Sequence, residues 1–194
     1  KAVVCTGDGD IAEQVDEALP ECPSIKTRII VNGKRDGWDD FMTDMEKADS
    51  HLERVDTKYY EPMIVYFSSG TTGNPKMAMH AHTYALAHLT TAKYWHDVNA
   101  DSIHLTIADT GWGKAVWGKL YGEMFMESCV FVYDYDKFHA SEILSILEKY
   151  KITSLCCPPT MFRFMLQEDV SSYDLSSLKY CTIAGEALNP DVFN

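Results

Sequence analysis

The chain reads as an α/β protein with mainly parallel sheets. Short apolar runs rich in Val, Ile, Cys and aromatic residues alternate with longer amphipathic runs along its whole length. Strand–helix alternation of this kind demands right-handed crossovers, and these cover a parallel sheet on both faces. With 194 residues the chain can bury a real core, and no internal repeat or low-complexity tract breaks the alternation.

The elements follow in order. Ala2-Val3-Val4-Cys5 predicts a strand over 2–5, and the amphipathic run behind it predicts a helix over 11–19. A strand over 28–31 and a helix over 38–48 come next, then a polar, charged stretch over 49–62 that reads as a surface loop. Met63-Ile64-Val65-Tyr66-Phe67 is a strand, and Lys76-Met77-Ala78-Met79-His80 alternates long and short side chains like an extended segment. A helix over 83–95 leads into the polar stretch 96–101. Strands over 103–108, 129–133, 153–157 and 180–184 then alternate with helices over 114–126, 141–150 and 160–167. Asn189-Pro190-Asp191 has the composition of a helix N-cap, N1 and N2.

Between the strand at 63–67 and the extended stretch at 76–80 lies Ser68-Ser69-Gly70-Thr71-Thr72-Gly73-Asn74-Pro75-Lys76. Gly70 and Gly73 admit positive φ, so successive backbone N–H groups can turn toward one concavity. Ser68, Ser69, Thr71 and Thr72 add hydroxyl donors for phosphate oxygens, and Lys76 adds a positive charge at the rim. A polyphosphate such as that of ATP fits this inventory. The string is not a Walker A loop, because Asn74-Pro75 separates Gly73 from Lys76 and no helix is expected at Lys76. A P-loop phosphotransferase would need that helix. The plainer alternative is a tight Gly/Thr-rich hairpin turn.

Composition excludes several classes. The formal net charge of −12 repels nucleic acid in the absence of a basic stripe, and none is present. No apolar run approaches the roughly 18 residues of a membrane span. Cys5, Cys22, Cys129, Cys156, Cys157 and Cys181 form no C-x-x-C pair, and five of them lie in or beside apolar strand-like runs. They read as buried free thiols in a cytoplasmic setting. His80 and His82 have no third ligand nearby in sequence, so a structural or helix-entry role is assigned to them and no protein-held transition metal is expected.

The loop string resembles the signature loop of the adenylate-forming enzymes, which include acyl-CoA synthetases, luciferases and peptide-synthetase adenylation domains. Ala108-Asp109-Thr110-Gly111-Trp112 and Ala184-Gly185-Glu186-Ala187-Leu188 resemble later motifs of the same superfamily, in the same order. Trp117-Gly118-Lys119-Leu120-Tyr121-Gly122 and Pro158-Pro159-Thr160 are most similar to the acetyl-CoA and medium-chain acyl-CoA synthetase branch. The resemblance covers at least residues 60–194. It implies two αβα lobes, 1–98 and 99–194, as part of the superfamily's N-terminal domain.

The resemblance also implies the chemistry: a carboxylate attacks the α-phosphate of ATP, pyrophosphate leaves, and the thiol of CoA captures the acyl group. Ser68, Ser69, Gly70, Thr71, Thr72, Gly73 and Lys76 would hold the phosphates, with Thr72 and Lys76 in catalytic roles. Gly185, Glu186 and Ala187 match the segment along the adenosine, and Gly111 and Trp112 match the border of the acyl pocket. Read as residues alone, Trp112 is equally an aromatic of the core, whereas Val116, Trp117 and Tyr121 read as core. Mg²⁺ would share the phosphate charge, but the family's Glu ligand, its ribose-binding Asp and its catalytic Lys lie in motifs that this sequence does not contain. Both ends interrupt expected elements, so the chain is expected to be a central fragment of a longer enzyme and inactive alone. The alternative reading is a non-catalytic nucleotide-binding or structural fragment.

Overall fold

A computed structural model of the chain describes every residue except 69–72, 74 and 194, and gives the backbone alone for Asp191. It consists of two compact units, Lys1–Asp56 and Thr57–Asn194.

In the first unit, β1 (Ala2–Thr6) is followed by α1 (Ile11–Ala18), β2 (Thr27–Val31), β3 (Asp39–Asp40) and α2 (Phe41–Lys47). The strands form a parallel sheet in the order β1-β2-β3. Its small core is Ala12, Ile30 and Trp38, with Val3, Cys5 and Val15 packed against it. The segment before β3 is tied to α1 by polar contacts: Arg35 donates to Glu13 at 2.6 Å and to Asp16 at 2.7 Å, and the Trp38 indole donates to Asp16 at 3.1 Å. The helix expected over 38–48 begins only at Phe41. Asp40 caps it by accepting from the Thr43 N–H at 3.1 Å, while Asp39 and Asp40 pair with Ile29 and Ile30.

The second unit opens with an antiparallel pair, β4 (Pro62–Ser68) and β5 (Lys76–Ala81), followed by α3 (Thr83–Tyr94). Then come β6 (Ile103–Thr106), α4 (Gly113–Val116), a π turn over Trp117–Tyr121, α5 (Gly122–Phe125), β7 (Cys129–Phe131), α6 (Ala140–Lys149), β8 (Ser154–Cys157), α7 (Pro159–Met165), β9 (Tyr180–Ile183) and α8 (Pro190–Phe193). Four of these strands form a parallel sheet ordered β7-β6-β8-β9.

The core of the second unit lies against this sheet. Helix α6 buries Ile143, Leu144, Ile146 and Leu147, spacing that puts one apolar face on Leu105 and Leu155 of the central strands. Each such side chain contributes about 1.5–3 kcal/mol on burial. Strand β8 is buried at all four positions, as a central parallel strand covered on both faces must be.

Two sequence expectations differ from the structure here. The compact units part at Asp56/Thr57, whereas Val98, proposed as the end of the first lobe, is buried inside the second unit and donates its N–H to the Ala92 carbonyl at 3.1 Å. Asp97 and Asn99 beside it are polar because they cover a buried turn. Cys156 and Cys157 are buried, but Cys129 and Cys181 are exposed because β7 and β9 are the edges of their sheet. Among the described residues all six cysteines are free thiols, and no helix is long and apolar enough to cross a membrane.

Gly122 marks the closest approach of α5 to α3. A Cβ built there would stand 2.5 Å from the His88 carbonyl oxygen and 2.8 Å from the Ala92 Cβ. Gly122→Ala is therefore expected to cost about 1–3 kcal/mol through overpacking, reduced by the roughly 1 kcal/mol that Ala adds as a helix former. Gly118→Ala, whose Cβ would meet its nearest neighbours at 3.5 Å, serves as the control and is expected to be close to neutral in urea unfolding.

Candidate active site

The order β7-β6-β8-β9 contains a topological switch. From β6 the chain moves to one side to form β7, then crosses back so that β8 lies on the other side of β6. The segments leaving the carboxyl ends of β6 and β8 therefore diverge, and a crevice opens between them, the usual ligand position in an open parallel sheet. A cleft of about 890 Å³ occupies this place. Ile107, Ala108, Asp109, Gly111 and Trp112 line it after β6, Pro158 and Met161 after β8, and Ala184 and Gly185 after β9. Tyr66, Phe67 and Ser68 of β4 form a further wall.

The three sequence signatures thus reach one cleft through segments far apart in the chain. Ser68 stands opposite Lys76 in the β4–β5 register, and Lys76 starts a strand, which removes the P-loop reading. Gly73 has φ +99° with open space where a Cβ would be, as expected of a glycine that must turn the backbone. Ser69, Gly70, Thr71 and Thr72, predicted as phosphate donors, lie outside the described residues. The side chain of Asp109 accepts from the Gly111 N–H at 2.7 Å and so shapes the turn that presents Trp112. Trp112 is 64% exposed on the cleft wall, which answers the question left open by its sequence: it is not core.

On the third signature, Gly185 lies at φ +91° and lines the cleft. Glu186 is held rather than freely solvated: the Thr160 hydroxyl donates to it at 2.6 Å, and Arg163 stands at 3.7 Å. Ala187 is exposed and is not among the cleft-lining residues.

Sequence reasoning missed two parts of the cleft, Lys114 and Trp117. Trp117 reads as core in the sequence. It is half-buried: it stacks on His88 and Trp95 and also borders the cleft, and the π turn over Trp117–Tyr121 begins at it. Lys114 is buried, and its ammonium has no hydrogen-bond partner among the described residues.

Behind this wall sits a buried polar network. His96 Nδ1 lies 2.5 Å from Glu123 Oε1, with neither side chain exposed to solvent. His104 Nε2 lies 3.9 Å from the same oxygen and 2.8 Å from the Thr106 hydroxyl, and its Nδ1 lies 3.0 Å from the Ser154 hydroxyl. Ser154 in turn donates to the His96 carbonyl at 2.9 Å, and Thr106 donates to the Gly118 carbonyl. The potential ligand atoms of His96, His104 and Glu123 lie within 4.8 Å of one another, but His96 Nδ1 and both nitrogens of His104 already have hydrogen-bonding neighbours. We therefore assign the trio to the network. His80 and His82 have other places: His80 packs on Tyr66 and Tyr84, and His82 precedes the first turn of α3.

The two histidines titrate in opposite directions. Burial pushes His96 down, but the neighbouring Cys156 thiol and Glu123 carboxylate outweigh it and hold the imidazole above its ordinary value. Burial and the positive charge of His96 drive His104 down to about 4. Burial also pushes the Cys156 thiol up, an effect overcome by His96 and Thr182, which leave it below the ordinary thiol range.

A model of the AMP-binding enzyme family matches residues 1–194. The chain belongs to this family. It is 39% identical over 191 residues to the human mitochondrial acyl-coenzyme A synthetase ACSM5, covering 97% of this chain and 33% of the relative. With the rat mitochondrial acyl-coenzyme A synthetase ACSM4 it shares 37% identity over 194 residues, or 99% of this chain and 33% of that one. The chain thus spans about a third of these curated relatives. Its fold matches the anthranilate CoA ligase AuaEII in complex with anthranoyl-AMP at a TM-score of 0.86, with 22% identity, 98% of this chain and 37% of the other. The Brucella canis acyl-CoA synthetase matches at 0.82, with 24% identity, 99% of this chain and 35% of the other.

The histidine shifts set a pH profile for stability. A raised His96 adds stability in full below its unfolded value of about 6.5, and this is lost as pH rises through the folded value. A lowered His104 acts oppositely: stability falls as pH drops from about 6.5 toward 4, because only the unfolded chain takes up the proton readily. Chemical unfolding across this range should show both limbs, with His96→Asn removing the alkaline one and His104→Asn flattening the acid one.

Proposed function

We propose that this chain is part of an AMP-forming acyl-CoA synthetase, an ATP-dependent acid–thiol ligase that activates a small-molecule carboxylic acid and passes its acyl group to CoA. The observation that carries the reading is the convergence of Ser68, Gly111-Trp112 and Gly185 on one cleft at the carboxyl ends of β6, β8 and β9. Nucleotide and acid would lie side by side there. In the first half-reaction a carboxylate oxygen bonds to the α-phosphorus as the bond to pyrophosphate breaks; in the second, the thiol of CoA displaces AMP. Displacement at phosphorus depends on positioning and charge stabilisation. Residues 68–73 and Lys76 would meet the growing charge on the leaving pyrophosphate, with Thr72 and Lys76 acting in catalysis. Gly185, Glu186 and Ala187 would border the adenosine, with Glu186 braced by Thr160 and Arg163.

Mg²⁺, when bound, would neutralise phosphate charge. Asp109 is the one carboxylate among the described cleft-lining residues, and its Oδ1 accepts from Gly111, so no step is routed through a metal here. At the acid end, Gly111 leaves backbone room and Trp112 forms part of the border, so an indole at this position favours short or branched acids. No role with nucleic acid is proposed, in keeping with the charge of −12. The free thiols fit a reducing compartment, the cytoplasm or, as the names of the relatives suggest, the mitochondrion.

In the full-length enzyme, Lys76→Ala and Thr72→Val are each expected to slow ATP–pyrophosphate exchange by roughly one to two orders of magnitude, since a charge-assisted contact is worth about 1.5–3 kcal/mol. Wild-type exchange in both folded variants would contradict the assignment. Trp112→Ala should extend the accepted acid to longer chains with little change in unfolding temperature, because the indole is already exposed. An unchanged chain-length profile would remove Trp112 from the acid pocket.

A further inference from the structure

We infer that the buried pair of Glu123 and His96 is a positioning device for the acid end of the cleft, acting through Trp95 on Trp117. The inference rests on the proposed acid-activating role of the cleft.

The pair is costly to build. Both side chains are fully shielded from water, and a buried ion pair seldom stabilises a fold more than apolar residues of the same volume would. Glu123 Oε2 has no hydrogen-bond partner among the described residues, which adds to the cost. What the pair does provide is a fixed direction for one imidazole ring, through a bond of 2.5 Å.

That ring leads straight to the cleft. His96 packs on Trp95 with ring centroids 4.6 Å apart, and Trp95 stacks on Trp117 at 5.7 Å and 29° between planes. His88 stacks on Trp117 at 5.6 Å and 19°. Trp117 in turn lines the cleft, together with Gly113 and Lys114 of the same helical run. A second tie reaches the same place, since Thr106, a hydrogen-bond neighbour of His104, donates to the carbonyl of Gly118 next to Trp117. The π turn that carries Trp117 begins at that residue, and such turns recur at functional sites because they aim side chains that a regular helix cannot.

Glu123 and His96 do not line the cleft. They are therefore positioning residues, and their signature is a change in which acids are accepted rather than in how ATP is held. Replacing Glu123 with Gln keeps the volume but removes the charge that faces His96 Nδ1 at 2.5 Å, so the ring loses its fixed direction and Trp117 loses its brace.

The test uses the full-length enzyme carrying Glu123→Gln, and separately Trp95→Phe, which leaves the charge pair intact and alters only the link to Trp117. Acid-dependent ATP–pyrophosphate exchange is measured with acetate, butyrate, isobutyrate, hexanoate and octanoate. The expected result in both variants is a change of about tenfold or more in the ratio of kcat/KM between the best and the poorest acid, with KM for ATP unchanged. Loss of folded enzyme lowers all acids equally and leaves that ratio alone, so partial instability does not mimic the effect. Should Glu123→Gln fail to fold, Trp95→Phe decides. A wild-type acid profile in Trp95→Phe, or in a folded Glu123→Gln, would overturn the positioning role. No exchange with any acid in the wild type would instead overturn the adenylating function on which it rests.

Discussion

Strand β6 has parallel partners on both sides, β7 through Ile103–Leu105 and β8 through His104–Thr106, and the arrangement of the second unit follows from that double pairing. A strand inside a parallel sheet has both faces covered by the crossover elements, and His104, Leu105 and Thr106 are all buried. Its carboxyl end is also the point at which the chain must leave in one direction while the chain from β8 leaves in the other. The cleft is the space between those departures. Parallel pairing in this order, rather than any single side chain, brings Gly111, Trp112, Pro158 and Gly185 to one opening.

Burying β6 on both faces has a polar cost, because His104 and Thr106 go under with it. The structure meets this cost with hydroxyls and carbonyls of neighbouring elements: Ser154 from β8, the carbonyl of Gly118 from the π turn, and the carbonyl of His96 beyond α3. The Ser154 and Gly118 contacts tie β6 to β8 and to the π turn, and the Ser154 hydroxyl extends the network to the His96 carbonyl. Core and site are therefore joined by shared side chains, and Gly122 permits the close approach of α5 to α3 on which the join depends.

The two sides of the cleft differ in what supports them. The β6–β8 side rests on the apolar core of α6 and α7, whereas Ser68 and Lys76 stand at the end of a two-stranded antiparallel pair with many exposed apolar side chains, among them Phe67, Met77 and Met79.

Much of this architecture is legible in the sequence by itself. The apolar runs at 103–108, 153–157 and 180–184 mark their strands because a parallel strand covered on both faces needs apolar residues without alternation, and β8 has them at Leu155, Cys156 and Cys157. Ser68, Asp109, Gly111, Trp112 and Gly185, singled out in the sequence, meet at one cleft, and they could be singled out because their chemistry is local: glycines that turn a backbone and side chains that donate or accept. Tertiary structure alone decided the rest. Trp117 stacks on His88 and Trp95 and also borders the cleft, a double role that periodicity does not show, and Cys129 and Cys181 became exposed because edge position belongs to a sheet rather than to a strand. The pairing of His96 with Glu123, 27 residues apart on different elements, arose where α3 and α5 meet. Local chemistry is written in neighbouring residues, but which distant side chains share a buried space depends on how the elements pack, and no residue carries that information alone.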